Sequence, residues 1–511
     1  MIRVAPNQSL IDIAIQHCGS AEAAYALAVA NGISVTADLL VSQELVSVPV
    51  MNQAIVDYYA KNKTVPAKVQ VDGTSGIVLF NEYIVRVIAD GGVVENKDCA
   101  ISFLQSLDQE ILNKATLIMY PSGYKVGKIH SIKPTDGSGD ITFTRSSTAR
   151  RRNEAGLQEE SDIDTPRIDY RVNGCGKLLV ETQRTNSFLK SSKFDDAYWQ
   201  KDGVTVSPDT LGTLDPSGNN LADKVVEDAS TGMHRVRKSN FPAGVDRPFI
   251  ITAKKAERDY IRIYENNALP IELKAGVVFD LNNGTVFSNY NASYYKNPTI
   301  IDEGNGWYTC SVNWDSFGLS VPSFGISPDG VAQEYEGTPG SGIYVIDANL
   351  QEGAYPTSNI PTDVSTVTRL KDTPTLGSLQ ANSIFGATTG TIVIELEWSE
   401  SGYIFDLNDS GGTRLRIYNN LDELWIRDLV GASWYRTGLE FTQGDTAIIG
   451  VAWDGTTVQA FQNGVKAASS KIFASSMAID NFTGMKTNAT GFIYAANTVL
   501  SDEKIISLTT L

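Results

Sequence analysis

Histidine is nearly missing from this 511-residue chain: only His17, His130 and His234 occur. That leaves little material for histidine-based catalysis or metal binding. Cysteine is scarce as well. Cys18, Cys99, Cys175 and Cys310 stand far apart, with no CxxC or Cys/His spacing that would make a zinc site. A chain of this size does not need disulfide staples, so the four are expected as reduced thiols. No apolar run is long enough to span a bilayer. The first residues, Met1-Ile2-Arg3-Val4-Ala5-Pro6-Asn7, lack a basic region followed by an apolar run, so no signal peptide is expected. Positive charge is in short supply: 42 Lys and Arg against 59 Asp and Glu leave a formal net charge of −17. Such a field repels phosphate backbones, so nucleic acid is not an expected partner. The acidic charge is spread along the chain, and solubility is its plain reading.

Catalytic signatures are missing too. No HExxH, GxSxG or P-loop pattern occurs. A polysaccharide depolymerase needs two carboxylates across a cleft, and no acid pair stands in such a motif. No short coil repeat announces a β-helix. Asp406 and Asp409 beside Gly411-Gly412 could line a calcium site, but calcium takes six to eight oxygens and a lone pair supplies few. No enzyme, cofactor or metal is therefore expected.

What is present is a folded composition, 42% hydrophobic and 20% charged, rich in Gly and Tyr. The length asks for roughly three or four domains. Near the start, Ile2-Arg3-Val4 reads as a short strand. Ser9 and Asp12 make a capping-box signal, and Leu10, Ile13, Ala14 and Cys18 fall at helical spacing. Gly19 ends that helix, Ala21 to Ala30 forms the next, Asn31-Gly32 stops it, and Gln43 to Pro49 returns as a strand. A short amphipathic helix over 52–62 carries Tyr58 and Tyr59. Two longer helices follow, one from Phe80 to Ala89 and one from about Glu95 to Leu112. The stripe Cys99, Phe103, Leu104, Leu107 and Ile111 packs either on its own domain or in a bundle around a trimer axis.

From Asp136 onward strand and turn signals take over. Ile141 to Arg145 alternates as a half-buried strand does. Arg150-Arg151-Arg152 is a basic run, and the acids from Glu159 to Asp164 are its possible partners within the chain or across a subunit boundary; two solvated loops are the other reading. Short strands bounded by turn chemistry then fill 187–372 and 373–511, as in β-sandwiches. Thr391 to Trp398 alternates apolar and polar, and Asp454-Gly455 and Asn463-Gly464 are hairpin signals. Sugars bind to flat aromatic faces. Trp199, Trp307, Trp425, Trp434 and Tyr435 are the candidate platforms, since none sits cleanly on an alternating core face; a core or intersubunit role competes for each. Trp398 and Trp453 read as core.

Three blocks in order, Ile141 to Thr148, Pro166 to Tyr170, and Leu178 to Asn186, resemble a segment common in tail-fibre and tail-tip proteins of bacteriophages. Arg145, Arg167, Glu181 and Arg184 recur in them, and the resemblance implies a structural Arg–Glu pairing that holds strands together. The β-α-α-β start resembles a LysM module: Asn7-Gln8-Ser9-Leu10, Ile13-Ala14, Asn31 and Ser42-Gln43-Glu44-Leu45 stand at its blocks, without the family's Gly and Pro. That likeness implies a protein-to-protein adaptor or a glycan binder. The run from Ile343 to Thr362 resembles the end of a jelly-roll carbohydrate-binding domain, and the C-terminal strands with the run from Ala495 to Ile505 resemble a concanavalin A or laminin-G type sandwich.

The fold class expected is therefore multidomain and mainly β: a LysM-like module (1–67), a helical collar (68–135), the phage-type strand segment (136–186), a jelly roll (187–372) and a lectin-like sandwich (373–511). The module order is similar to virion proteins of phages of Bacteroides-type hosts, including crAss-like phages. It implies a homotrimeric head or tail fibre, made in the host cytoplasm and displayed on the virion. Such a fibre would be joined to other virion proteins through its N-terminus and would adhere to host-surface or mucus glycans, with avidity offsetting weak single sites. A purely structural virion, baseplate or head-decoration protein is the alternative, and a glycan depolymerase is a further one.

Overall fold

A computed structural model describes residues 2–5, 8–37, 39, 43–62, 76–171, 174–242, 244–265, 276–316, 319–353, 355–397, 402–409, 412–420, 422–440, 446–483 and 489–511. Asn7 and Ser42 of the LysM-like blocks, the linker 64–67, Trp398 and Gly411 lie outside these residues. The chain is multidomain and mainly β, as its turn and strand signals imply.

The N-terminal unit has the β-α-α-β order. Ser9 caps the helix Leu10–Cys18 through a capping box with Asp12, and the predicted stripe Leu10, Ile13, Ala14 and Cys18 is buried. Gly19 ends this helix at φ 77°, and a side chain there would collide with the Asn52 carbonyl. After the helix Ala23–Asn31, the Asn31 amide bonds Val46 in both directions and seats the return strand Glu44–Leu45 against Ile2–Arg3.

The helices that follow do not form a separate collar. Gly76–Ala89, Lys97–Ser106 and Gln109–Lys114 press Phe80, Tyr83, Val87, Phe103 and Leu104 onto Val393, Phe492 and Tyr494 of the C-terminal sandwich. Phe103 stacks on Phe492 at 4.5 Å. The stripe once open to a trimer bundle is thus covered by its own chain. The single helix expected over 95–112 is two, because Asp108 leaves the helix and caps the second by accepting from the Ile111 N–H.

The C-terminal sandwich is built from both ends of the sequence. One sheet runs Ile168–Asp169, Lys177–Leu179, Ala489–Ala496, Thr389–Glu397, Thr446–Asp454, Thr457–Gln462, Val465–Lys466, with Leu117–Met119 also on Ala489–Ala496. A facing five-stranded sheet runs Ser433–Glu440, Glu423–Asp428, Gly412–Asn420, Gly402–Asp409, Asn481–Thr483. A third, smaller sheet contains Ile141–Thr144 and Thr373–Thr375 and adds Ile141 and Phe143 to the same core. Thr389–Glu397 shows why alternation needs care. Ile392, Ile394 and Leu396 face the sandwich core and Val393 faces the helices, so both of its faces are covered. Asn463 and Gly464 both take positive φ, the mirror-image turn a two-residue hairpin requires. Trp453 is core, as read.

The jelly roll, 187–372, is therefore inserted into this sandwich. Its two antiparallel sheets have six strands each and enclose Phe188, Phe194, Trp199, Phe249, Trp314 and Phe324. The entering strand Arg184–Asn186 pairs with the leaving strand Val367–Arg369.

The four cysteines are not all thiols. Cys99 and Cys175 form a disulfide, while Cys18 and Cys310 are free and buried. Size gave no reason to expect it, but the Asn96 amide did the positioning: it donates to the Gly176 and Pro121 carbonyls and accepts from the Gly176 N–H. That clamp brings two residues 76 apart in sequence side by side. Thiol titration of denatured, unreduced protein should find two thiols, and four after reduction; four without reduction would refute the bond.

Burial pushes the Asp223 carboxyl up to about 6 from its ordinary 3.8, with Asp195 and Asp209 adding and the Phe194 and Asp209 amides opposing. A raised carboxyl keeps its proton longer folded than unfolded. Its contribution to stability is present at low pH and is lost between about pH 4 and pH 6, at most ~3 kcal/mol. Asp223→Asn should remove that part of the pH slope in urea titrations; parallel wild-type and variant profiles would disprove it.

Candidate functional site

The candidate aromatics separate cleanly by position. Trp199 is 2% exposed in the jelly-roll core and donates its indole N–H to the Lys190 carbonyl at 3.0 Å. Trp307, 1% exposed, packs with Ala222 and Ile346 and donates to the Leu214 carbonyl at 2.8 Å. Tyr435 faces the sandwich core, and its hydroxyl is bonded to the Ser469 carbonyl. None of these three can be a sugar platform. Their indole and phenol groups found backbone partners, which lets such large rings be buried at little polar cost.

Trp425 and Trp434 are different. They stand on the outer face of the five-stranded sheet, where the period of two sends Leu424, Ile426 and Tyr435 inward and their neighbours outward. Cross-strand register sets out two rows. Tyr418 is opposite Trp425, which is opposite Arg436; Arg416 is opposite Arg427, which is opposite Trp434. Trp434, 40% exposed, lies 5.3 Å from Tyr418 and 5.6 Å from Trp425, ring centre to ring centre. Arg427 lies over Trp434 at 4.9 Å and Arg436 over Trp425 at 5.6 Å. Tyr418 was missed in the sequence because only register, not period, brings it to the two tryptophans. The sandwich's other sheet is covered by the helices, so this face is the one that presents a continuous aromatic surface.

The acids beside the array are occupied. Asp406 holds Arg416 through two bonds of 2.7 and 2.8 Å, and Glu423 accepts from Arg436 Nε at 2.7 Å and from the Gly438 N–H. Arg436 and the Gly438 amide hold the Glu423 carboxyl below its usual range against the opposing effect of burial. Asp406 therefore serves a guanidinium rather than a calcium site, and among the described residues no group of three or more His, Cys, Asp or Glu could hold a metal.

The charged residues of the phage-type blocks form a second, fully buried constellation. Asp372 accepts from Arg145 Nη1 at 3.1 Å, Arg167 Nη2 at 2.5 Å and the Glu181 N–H at 2.8 Å. Glu181 accepts from Arg167 Nη1 at 2.8 Å, Arg369 Nη1 at 2.6 Å, and both the amide and hydroxyl of Ser358 at 2.6 Å. Burial would raise the Glu181 carboxyl, but Arg369, Arg167 and Arg171 outweigh it and keep the group ionised. Arg145, Arg167 and Glu181 all stand in buried ion pairs, Arg145 with Asp372 and Arg167 with both Asp372 and Glu181. The Arg184 guanidinium lies against Gly353 and donates to the Gln183 carbonyl. Asp372, Arg369 and Ser358 were not foreseen; they lie more than 170 residues from Glu181 in sequence.

The basic run also pairs within the chain. Arg151 meets Glu159 at 2.8 Å and also Glu95, Arg152 meets Glu303 at 2.5 Å, and Arg150 meets Asp347 at 3.3 Å. The cleft they line, between the hairpin Ala149–Arg152/Gln158–Ser161 and the jelly roll, is glued by matched charge and is no anion site.

No family model and no curated protein matches the chain. Among solved structures, it is similar to domain 4 of AbnA, a GH43 extracellular arabinanase from Geobacillus stearothermophilus, in complex with arabinotriose: 15% identity over 31% of this chain and 82% of that one, TM-score 0.22. It is similar to Ruminococcus gnavus IT-sialidase CBM40 bound to α2,3 sialyllactose at 16% identity, over 25% of this chain and 84% of that one, TM-score 0.20. Trypanosoma rangeli sialidase in complex with sialic acid matches at 11% identity over 61% of this chain and 62% of that one, TM-score 0.21. Likenesses of this size carry no argument about the chain.

Removing one partner of a buried charge network leaves the others unpaired, at a cost of about 3–5 kcal/mol. Asp372→Ala should lower stability by that amount in urea unfolding, and a change under about 1 kcal/mol would show that the network is dispensable.

Proposed function

We propose that the chain is a bacteriophage virion appendage, anchored to other virion proteins by its N-terminal unit, that adheres to host-surface or mucus glycans as a homotrimer without cleaving them. One observation carries the adhesive part: the ring array of Tyr418, Trp425 and Trp434 on the outer face of the last sandwich, with Trp434 exposed and the other two rings half-buried beside it. Exposed rings of this size on a protein surface mark a contact site, and their faces suit the C–H faces of sugars. Binding without cleavage is supported by Asp406 and Glu423, whose carboxylates are both held by guanidiniums and so are poor acid–base candidates. The virion setting rests on the three ordered blocks between Ile141 and Asn186, and trimeric avidity would suit a shallow single site. The burial of Trp199 and Trp307 favours a spacer role for the jelly roll.

Recombinant chain applied to a glycan array should bind at least one saccharide class, with no release of reducing sugar. Trp434→Ala should weaken that binding roughly tenfold, about 1.4 kcal/mol, at unchanged thermal midpoint. An array blank for the wild-type chain, or a variant that binds as the wild type does, would leave a purely structural virion protein as the reading.

A further inference from the structure

We infer that the aromatic array is selective for anionic saccharides, sugars bearing a carboxylate or a sulfate ester, and that Arg427 is the residue that recognises the anion. The inference rests on the adhesion reading and specifies its ligand. It follows from a charge inventory of the face. Three guanidiniums stand there in cross-strand register, Arg416, Arg427 and Arg436. Arg416 is neutralised by Asp406 and Arg436 by Glu423. The Arg427 side chain has neither an ion pair nor a hydrogen bond among the described residues, and its Nε is buried without a partner. Its guanidinium lies over the Trp434 ring, with Cζ 4.9 Å from the ring centre.

An unmatched cation at this place is not explained by stability. Arg427 sits directly opposite Arg416, whose charge Asp406 already meets, so its cross-strand neighbour offers it no counter-charge. A ring beneath a guanidinium offers about 0.5–2 kcal/mol but uses none of its donors, which lie in the guanidinium plane. Those donors form a fork that fits a carboxylate or a sulfate. Trp434 is the residue opposite Arg427, so their Cβ atoms are about 5 Å apart. A pyranose seated against the exposed part of Trp434, beside the guanidinium, therefore carries a ring-borne anion within reach of the fork. The chain as a whole, at net charge −17, repels anions. A local positive point on an aromatic floor is then what separates an acidic sugar bound here from one repelled elsewhere.

The test uses the full chain in biolayer interferometry against galacturonate oligomers, sialyllactose and a sulfated heparin disaccharide, with lactose and cellotetraose as neutral counterparts. Wild type should favour at least one anionic probe over the neutral ones by roughly tenfold, and Arg427→Gln should bring the anionic and neutral probes to within about twofold of each other at an unchanged thermal midpoint. Comparison of the carboxylate with the sulfate probes identifies which anion the fork takes. Neutral binding that Trp434→Ala abolishes, with no anionic preference or with a preference that survives Arg427→Gln, would overturn the inference and leave the adhesive face standing. No binding to any probe or array glycan would overturn both.

Discussion

Two buried carboxylates, Glu181 and Asp372, hold this molecule together at the point where it is most divided. Between them they receive Arg145, Arg167, Arg369 and the Ser358 side chain. Arg145 and Arg167 come from before the insertion, and Ser358 and Arg369 from its returning end. Ionised groups this deep are tolerated only when every lone pair is used, and here the geometry comes close to that limit. The network does not add much net stability over an apolar plug of equal volume. Its directional bonds join residues from both sides of the insertion.

The position so fixed determines what the two sandwiches can present. The jelly roll is clamped at its root, and the hairpin with Arg150, Arg151 and Arg152 lies along its side. The last sandwich has its long sheet under the helices and its short sheet bare. Exposure of the aromatic array is therefore a consequence of layering: three layers cover one sheet twice and leave the other half-covered. The same rings on the covered sheet would have been core.

Local pattern made much of this legible in the sequence. The capping box at Ser9, the strand from Ile141 to Thr144 and the Asn463-Gly464 turn depend on residues within a few positions of one another, and they stand where the pattern puts them. Long-range pairing was not legible. Nothing near Leu117 says that it will join a sheet with Ala495, and nothing near Glu181 names Arg369. The tryptophans show the same divide. A strand period sorts residues into two faces but does not say which face is covered, so Trp199 and Trp434 looked alike until the layers were in place. The disulfide was missed for a related reason, because Asn96, not any cysteine spacing, brings its halves together.

The strand entering the jelly roll and the strand leaving it are hydrogen-bonded neighbours, Arg184–Asn186 beside Val367–Arg369. The gap that the whole insertion bridges is therefore one inter-strand spacing, about 5 Å. A tight turn of two residues could close it. The 180-odd residues between behave as a cassette whose two ends meet at a single socket, and a domain of another size or shape could occupy it if it replaced what Ser358 gives Glu181 and what Glu303 and Asp347 give the hairpin arginines.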